Sequence, residues 1–204
     1  MARIAVLDAN VLWPQYLRDT LLRAAAFDMY RGAWTDRILN EMRNSLLRES
    51  RVPPEQIDRA SRLMQQGFPH FMVEGYEDLI SIMTNDEKDR HVLAAAVCVG
   101  ADTIVTNNRK DFPPQSREQY GIDLDSPDEF LADLWLTDAG RMARMLVAMA
   151  SGLMRPPLTV QQLVGEVLRK HAPTFAEMAL ASDDLEVALQ AERAGVPLPR
   201  RPFL

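Results

Sequence analysis

A helix that passes into a strand through a single glycine is the feature that most constrains the fold of this chain. The segment "DEKDRHVLAAAVCVG", residues 86–100, has the composition of a helix that ends at Gly100. The residues that follow, "ADTIVT", form a β-branched run typical of a buried strand. Helix, glycine and strand in this order make up half of a parallel α/β crossover. The sequence therefore predicts a parallel sheet whose strands are joined by helices.

The rest of the N-terminal part shows the same kinds of element. "RIAVLD", residues 3–8, predicts a buried parallel strand that ends at an acidic residue. Thr35 is an expected helix N-cap. Residues 70–80 predict a short strand, with or without a helical turn after it, and residues 121–135 predict a last strand followed by a helix. Further helices are predicted over residues 16–30, 34–50 and 53–68.

The pattern changes after about residue 137, where β-branched runs give way to helical segments separated by proline and glycine. We therefore predict an α/β domain over residues 1–130 and a helical C-terminal extension over residues 131–204. The proline-rich tail "VPLPRRPFL" is predicted to be extended.

Composition limits the class of protein. The formal charge of −6 counts against a protein that coats nucleic acid non-specifically, but not against an enzyme whose acidic site is neutralised by cations. The single cysteine, Cys98, excludes an internal disulfide framework and is expected to be a buried thiol on its alanine-rich helix. No apolar run reaches the roughly 18–20 residues that span a bilayer, and the first residues lack an export signal, so we expect a cytoplasmic protein.

Four acidic residues occupy positions that an α/β fold can bring together. Asp8 follows the first predicted strand and Asp111 follows "ADTIVT", and the carboxyl ends of parallel strands form the ligand crevice. Asp89 lies in the first turn of its helix, and Glu41 lies within another helix. Each also has a purely structural interpretation: Asp89 as a first-turn acid after an Asp86 cap, Glu41 as a solvated flank, Asp111 as a turn residue.

Taken together, these carboxylates predict a metal site. Clustered carboxylates raise one another's pKa unless a cation offsets them, and oxygen-only ligands suit Mg²⁺ or Mn²⁺. Such a site supports hydrolysis of a phosphodiester by metal-activated water. Arg109 and Lys110 are candidate contacts to a substrate phosphate, although ordinary solvated loop charge explains them equally well. His91 is expected to be structural or to support a neighbouring metal ligand.

The same residues resemble the PIN domain, the metal-dependent ribonuclease module of many bacterial VapC-type toxins. "VLDANVL" is similar to the family's first strand with its Asp and the Asn two residues later. "ILNEMRNSL" resembles the helix that carries its Glu, "DEKDRHVLAAAV" the helix with its third acid, and "IVTNNRKDFP" the strand and last acidic loop. The resemblance covers roughly residues 3–130.

The resemblance implies a three-layer α/β/α fold around a twisted parallel sheet. By position, the metal-binding and catalytic acids are Asp8, Glu41, Asp89 and Asp111, supported by Asn10, Thr106 and Asn108. Many members have an aspartate where this chain has Asn108, which puts a second metal site in doubt. The family also implies an RNA substrate, frequent homodimers and, for the toxins of type II toxin–antitoxin pairs, a cognate antitoxin protein.

Two other functions remain open. A phosphatase of the haloacid dehalogenase type also begins with an acid after a strand, but it needs a second aspartate at the position of Asn10. A catalytically weak PIN-like module that binds RNA or protein is favoured by Asn108 and by the negative net charge.

Overall fold

Within the described residues, four parallel strands form one sheet in the order β2-β1-β3-β4. The computed structural model describes residues 3–49, 52–154 and 156–196. The central strand β1 pairs with β2 on one side and with β3 on the other, so that Val6 lies between Ala33 and Ile104. The predicted α/β fold is therefore confirmed. The strands are β1 Ile4–Leu7, β2 Arg31–Ala33, β3 Thr103–Val105 and β4 Asp123–Asp125.

Helices flank this sheet and make up the C-terminal part of the described chain. The helix that most constrains the fold, α5, packs on β1 and β3. The α-helices are α1 Ala9–Leu12, α2 Gln15–Ala26, α3 Asp36–Glu49, α4 Pro54–Gly67, α5 Arg90–Val99, α6 Pro114–Arg117, α7 Pro127–Thr137, α8 Ala139–Gly152, α9 Val160–Gln162, α10 Pro173–Ala181 and α11 Asp183–Arg193.

The residues that cap α3 and those before and after α5 have the roles that the sequence predicts. Thr35 accepts the backbone N–H of Ile38 at 3.1 Å and so caps α3. Asp86 accepts the backbone N–H of Lys88 at 3.1 Å, which caps the short 3₁₀ turn Glu87–Asp89 before α5. Gly100 ends α5 with φ = 63°, a left-handed conformation that favours glycine. All three ends agree with the predictions.

Two local predictions are wrong or incomplete. Residues 70–80 contain the 3₁₀ turns Pro69–Phe71 and Glu77–Ile82, and their strand character is limited to one bridge between Met72 and Trp34. Cys98 is exposed rather than buried, because it lies on the outer side of α5, where its Sγ is 3.6 Å from the carbonyl oxygen of Glu74. The predicted extended tail lies outside the described residues, apart from its first residue.

The described residues divide into two compact units. One contains residues up to Gln15 and from Tyr30 to Ser126, which include the whole sheet. The other contains Tyr16–Met29 and the residues from Pro127 onward. The predicted division into residues 1–130 and 131–204 as separate domains stays a prediction, and the segment Tyr16–Met29 is grouped with the C-terminal helices. None of the helices in the described ranges has the length and apolar character needed to cross a membrane.

Within the second unit, α10 packs on α7, and α8 packs on α11. Asp128 accepts the backbone N–H groups of Thr174 and Phe175 at 3.2 and 2.9 Å, so it satisfies the first turn of α10. Trp135 meets Phe175 edge to face with ring centroids 6.0 Å apart. A π-helical turn, Leu163–Val167, continues α9. The predicted helical character of this region is confirmed.

Candidate functional site

Asp8 lies at the carboxyl end of β1 and begins α1. Its side chain is almost fully buried, with 4% of the residue exposed. One oxygen, Oδ1, accepts the backbone N–H of Ala9 at 2.6 Å, so the carboxylate caps the helix. The strand and the helix cap together fix the position of this carboxylate, as its place after an apolar strand predicts.

The other carboxylate oxygen of Asp8 is held by a polar network from α1 and from the residue that follows β3. Thr106 donates its hydroxyl to Oδ2 at 2.6 Å, and Asn10 donates its side-chain amide to the same oxygen. Asn10 also donates to the Thr106 hydroxyl at 2.9 Å and accepts the backbone N–H of Asn107 at 3.0 Å. The two predicted supporting residues, Asn10 and Thr106, are therefore brought to Asp8.

Asp89 and Asp111 approach one another through Asn108. The amide nitrogen of Asn108 donates to Asp111 Oδ2 and lies 3.5 Å from Asp89 Oδ2. The backbone N–H of Asn108 donates to the Thr106 hydroxyl at 3.0 Å, which joins this pair to the network around Asp8. A second link is the backbone bond of 3.1 Å from the N–H of Asp86 to the carbonyl of Asp111.

Glu41 reaches the site from α3. Its Oε1 lies 3.1 Å from Nε2 of His91 and 3.3 Å from Nε of Arg37. The His91 contact is within ion-pair distance but is not aligned as a hydrogen bond, since neither imidazole nitrogen has an aligned partner among the described residues. Arg37 also donates to the carbonyl oxygen of Lys88 at 3.3 Å, so it joins α3 to the turn before α5.

Burial and neighbouring groups shift the pKa values of three of the four acids. Burial raises the pKa of Asp8; the bonds from Thr106 and Ala9 oppose this, while the charge of Glu41 adds to it. The pKa of Asp89 rises to about 7, first through burial and then through the charges of Asp8 and Asp111. For Glu41, burial is outweighed by the contacts of His91 and Arg37, which lower its pKa. All four predicted acids therefore belong to one electrostatic cluster.

The residue types of this cluster fit a hard divalent cation. The ligands on offer are carboxylate, amide and hydroxyl oxygens, which Mg²⁺ and Mn²⁺ prefer over softer metals. Burial and then the negative charges of Asp8 and Asp111 raise the pKa of Asp89, and a bound cation would offset those charges. In the described parts of the chain, however, no three His, Cys, Asp or Glu side chains are arranged to hold an ion. The amide of Asn108 instead contacts Asp89 and Asp111, while His91 and Arg37 contact Glu41.

The two predicted basic residues lie next to these acids. Arg109 and Lys110 are exposed on the 3₁₀ turn Arg109–Asp111, directly after Asn108. A separate groove of about 200 Å³ lies between α3 and α4, where Arg43 pairs with Asp58 at 2.6 Å. None of the predicted site residues lines this groove.

The sequence did not identify Arg37 as a neighbour of the site, nor Glu41 as the residue that His91 contacts. The sequence signal for Arg37 was present, because it lies four residues before Glu41 on the same helix. His91 on α5 and Glu41 on α3 are fifty residues apart in sequence, so no local sequence pattern indicates their contact.

Two family models match separate ranges of the chain. The family model described as PIN domain matches residues 4–110, and the model described as VapC50 C-terminal domain matches residues 127–181. The chain is 40% identical over 121 residues to a protein of Mycobacterium tuberculosis (strain ATCC 25618 / H37Rv) named "Putative ribonuclease VapC50". That match covers 59% of this chain and 70% of the relative. No solved structure matches the chain significantly.

These matches confirm the resemblance of the four acidic motifs to those of the PIN domain. The PIN model spans more than half of the chain and contains Asp8, Glu41 and Asp89, while Asp111 follows its last matched residue directly. The chain therefore belongs to the PIN domain family, and it combines that domain with a C-terminal region similar to that of VapC50.

Proposed function

We propose that the protein is an endoribonuclease that uses Mg²⁺ or Mn²⁺ to hydrolyse RNA phosphodiester bonds. The observation that carries this proposal is the hydrogen-bond network of Thr106 and Asn108, which joins Asp111 and Asp89 to the buried Asp8. Burial, followed by the charges of Asp8 and Asp111, raises the pKa of Asp89 to about 7. Carboxylates that repel one another at the carboxyl ends of parallel strands are poor structural elements but good cation ligands. The relative named as a ribonuclease supports the same substrate class.

Each site residue has a distinct part in this proposal. Asp8, Glu41, Asp89 and Asp111 hold the cation, and Asn10 and Thr106 keep the buried Asp8 carboxylate in place. The bound cation would supply an activated water and stabilise charge on the phosphate oxygens. Asn108 must turn its amide away from Asp111 or offer its carbonyl oxygen, because an N–H group cannot ligate a cation. The exposed Arg109 and Lys110 would contact the RNA backbone.

The biological role that we propose is that of the toxin in a type II toxin–antitoxin pair. The match of residues 127–181 to the VapC50 C-terminal domain supports this role. The partners would be an RNA substrate in the cytoplasm, a second copy of the chain in a homodimer, and a cognate antitoxin protein that blocks the site.

The test is cleavage of a circular RNA, which only an endonuclease can open, with and without Mn²⁺. Asp8→Asn should lower the cleavage rate by more than about 100-fold, since loss of residues that merely support metal ligands already costs about 10–100-fold. Asp58→Asn is the matched control, because Asp58 pairs with Arg43 away from the cluster. Cleavage that does not depend on Mn²⁺ or Mg²⁺, or that survives in Asp8→Asn, would contradict the proposal.

The toxin role has its own experiment. Induced expression should arrest bacterial growth, Asp8→Asn should abolish the arrest, and a small reading frame directly upstream in the genome should relieve it when co-expressed. Growth that continues at full rate while the wild-type protein cleaves RNA would separate the enzyme from the toxin.

A second candidate function is binding of RNA or protein without cleavage. It is favoured by the position of Asn108, which stands between Asp89 and Asp111 where an acid could have completed a cation site. Stable RNA binding with no cleavage in saturating Mn²⁺ would support this alternative.

A further inference from the structure

His91 is a fully buried histidine in the wall of the carboxylate cluster. It lies in the first turn of α5, two residues after Asp89, and none of its surface is exposed. Its Nε2 points to Glu41 on α3, with 3.1 Å between Nε2 and Oε1. Neither Nε2 nor Nδ1 has an aligned hydrogen-bond partner among the described residues. His91 is therefore enclosed in the protein with its Nε2 beside one carboxylate.

An imidazole in this place does not serve packing. Burying polar nitrogens without aligned hydrogen bonds costs free energy, whereas an apolar side chain of similar size would fill the same space without that cost. The neighbouring residues of α5, from Val92 to Ala96, are apolar and buried, as a core position requires. The contact with Glu41 is what distinguishes His91 from them.

Glu41 has little else to fix its orientation. Its side chain is 39% exposed, and its other partner is Arg37, a 48% exposed residue on the same helix. Exposed pairs four residues apart are weak, at about 0.3–0.5 kcal/mol, because solvent screens them and both side chains are flexible. The contact of Glu41 with a fully buried side chain is thus the one with His91. Helix α3, which carries Glu41, packs on α1, the helix that Asp8 caps, so Glu41 and Asp8 belong to neighbouring elements.

We propose that His91 is a positioning residue, whose Nε2 holds the Glu41 carboxylate beside Asp8 so that both can bind the same divalent cation. This inference rests on the proposed function, since it assigns a support to one of the proposed ligands. Such supporting groups orient metal ligands, and their loss typically lowers metal affinity about 10–100-fold. His91 acts through Glu41 and not on the RNA.

The test compares two side chains of nearly equal length and volume at position 91, in the full chain. His91→Gln keeps an N–H donor that can reach the place of Nε2, whereas His91→Met fills the space without a donor. Calorimetric titration with MnCl₂ should show an affinity about 10–100-fold lower for His91→Met, and within a few-fold of wild type for His91→Gln. The measured quantity is binding of the metal alone, so it does not depend on RNA cleavage.

A second pair keeps the test valid if His91→Met does not fold. His91→Asn carries the same amide as His91→Gln but is one methylene too short to reach Glu41, so it should also weaken Mn²⁺ binding. The control is the same pair of changes at His70, an exposed histidine of the 3₁₀ turn Pro69–Phe71, where neither should alter Mn²⁺ affinity.

A double-mutant cycle shows whether His91 acts through Glu41. The urea midpoints of His91→Asn, Glu41→Gln and the double variant should be non-additive, because residues in contact couple and distant ones do not. Additive midpoints would overturn the proposed contact.

The failure of this inference differs from the failure of the proposed function. If the wild-type protein binds Mn²⁺ and both the Gln and the Met or Asn variants bind it equally well, His91 is not a positioning residue, although the nuclease proposal stands. If the wild-type protein binds neither Mn²⁺ nor Mg²⁺, both proposals fall together.

Discussion

At the scale of single residues, Asp89 makes the stability of the metal-free protein depend on pH. Burial and then the charges of Asp8 and Asp111 raise its pKa in the folded protein to about 7, from an ordinary value of 3.8. Between these values the folded state binds more protons than the unfolded state, so the free energy of unfolding falls as pH rises. The contribution of Asp89 is complete below about pH 4 and is lost above about pH 7. We expect Asp89→Asn to reduce this decrease in the free energy of unfolding with rising pH.

The measurement is urea unfolding of the metal-free protein at several pH values between 4 and 8. Asp8 changes stability in the same direction and Glu41 in the opposite one, so only the difference between wild type and Asp89→Asn isolates Asp89. Equal pH dependence in the two proteins would show that Asp89 does not carry the raised pKa.

Some side-chain positions in the carboxylate cluster could be predicted from the sequence, and others could not. Asp8 and Asp111 were predictable because each follows a strand, and parallel strands share a ligand edge. The bridging position of Asn108 depends on side-chain rotamers within one turn, and the contact of His91 with Glu41 depends on how α3 and α5 pack. Patterns of apolar residues carry no information about either.

At the scale of elements, β2 is the strand that sequence patterns did not predict. It has only three residues, "RGA", and its central glycine weakens any local strand preference. Pairing with β1 and burial against an aromatic cluster define β2 instead. The ring of Phe71 covers Gly32, and its centroid lies 5.1 Å from that of Trp34 and 4.7 Å from that of Phe68. Longer elements such as α3 and α5 were predictable, because their caps and periodicity are local.

Gly32→Ala should therefore destabilise the protein. An added Cβ would lie 2.6 Å from the ring of Phe71, which Trp34 and Phe68 hold in place, so the ring or the strand must shift. Overpacking of this kind costs about 1–3 kcal/mol. Urea unfolding measures it.

The matched control is Gly152→Ala at the end of α8, where an added Cβ meets no atom within 4 Å. This change should leave stability unchanged or raise it by up to about 1 kcal/mol, because alanine loses less backbone entropy in a helix. If Gly32→Ala has the urea midpoint of the wild-type protein, the aromatic cluster accommodates the added methyl group without loss of stability.

At the scale of the whole molecule, the second compact unit is discontinuous in sequence. Its helix α2 lies between β1 and β2 in the chain, yet it is grouped with the residues from Pro127 onward. Thr20 lies 3.6 Å from Sδ of Met149, and Arg141 reaches the carbonyl oxygen of Phe27 at 3.4 Å. The change in composition after about residue 137 located the C-terminal helices correctly, but only tertiary contacts reveal that α2 belongs with them.

A chain that ends at Ser126 should therefore fold poorly, although it contains the whole sheet and all four acids. Leu17, Leu21 and Leu22 of α2 are fully buried in the intact chain, and each apolar side chain left in water costs about 1.5–3 kcal/mol. Size-exclusion chromatography should show aggregation, and urea should produce no cooperative transition. A monodisperse, cooperatively unfolding fragment would show that α2 needs no partner from the C-terminal helices.

The placement of α2 also affects how the protein is made. From the end of α2 at Ala26 to the start of α7 at Pro127 the ribosome must add about 100 residues. At about 5–20 residues per second, this takes roughly 5–20 s. During that interval the nascent chain carries the apolar face of α2, whose partners in the C-terminal helices have not yet been synthesised. Newly made protein should therefore depend on chaperones that shield such a surface until translation ends.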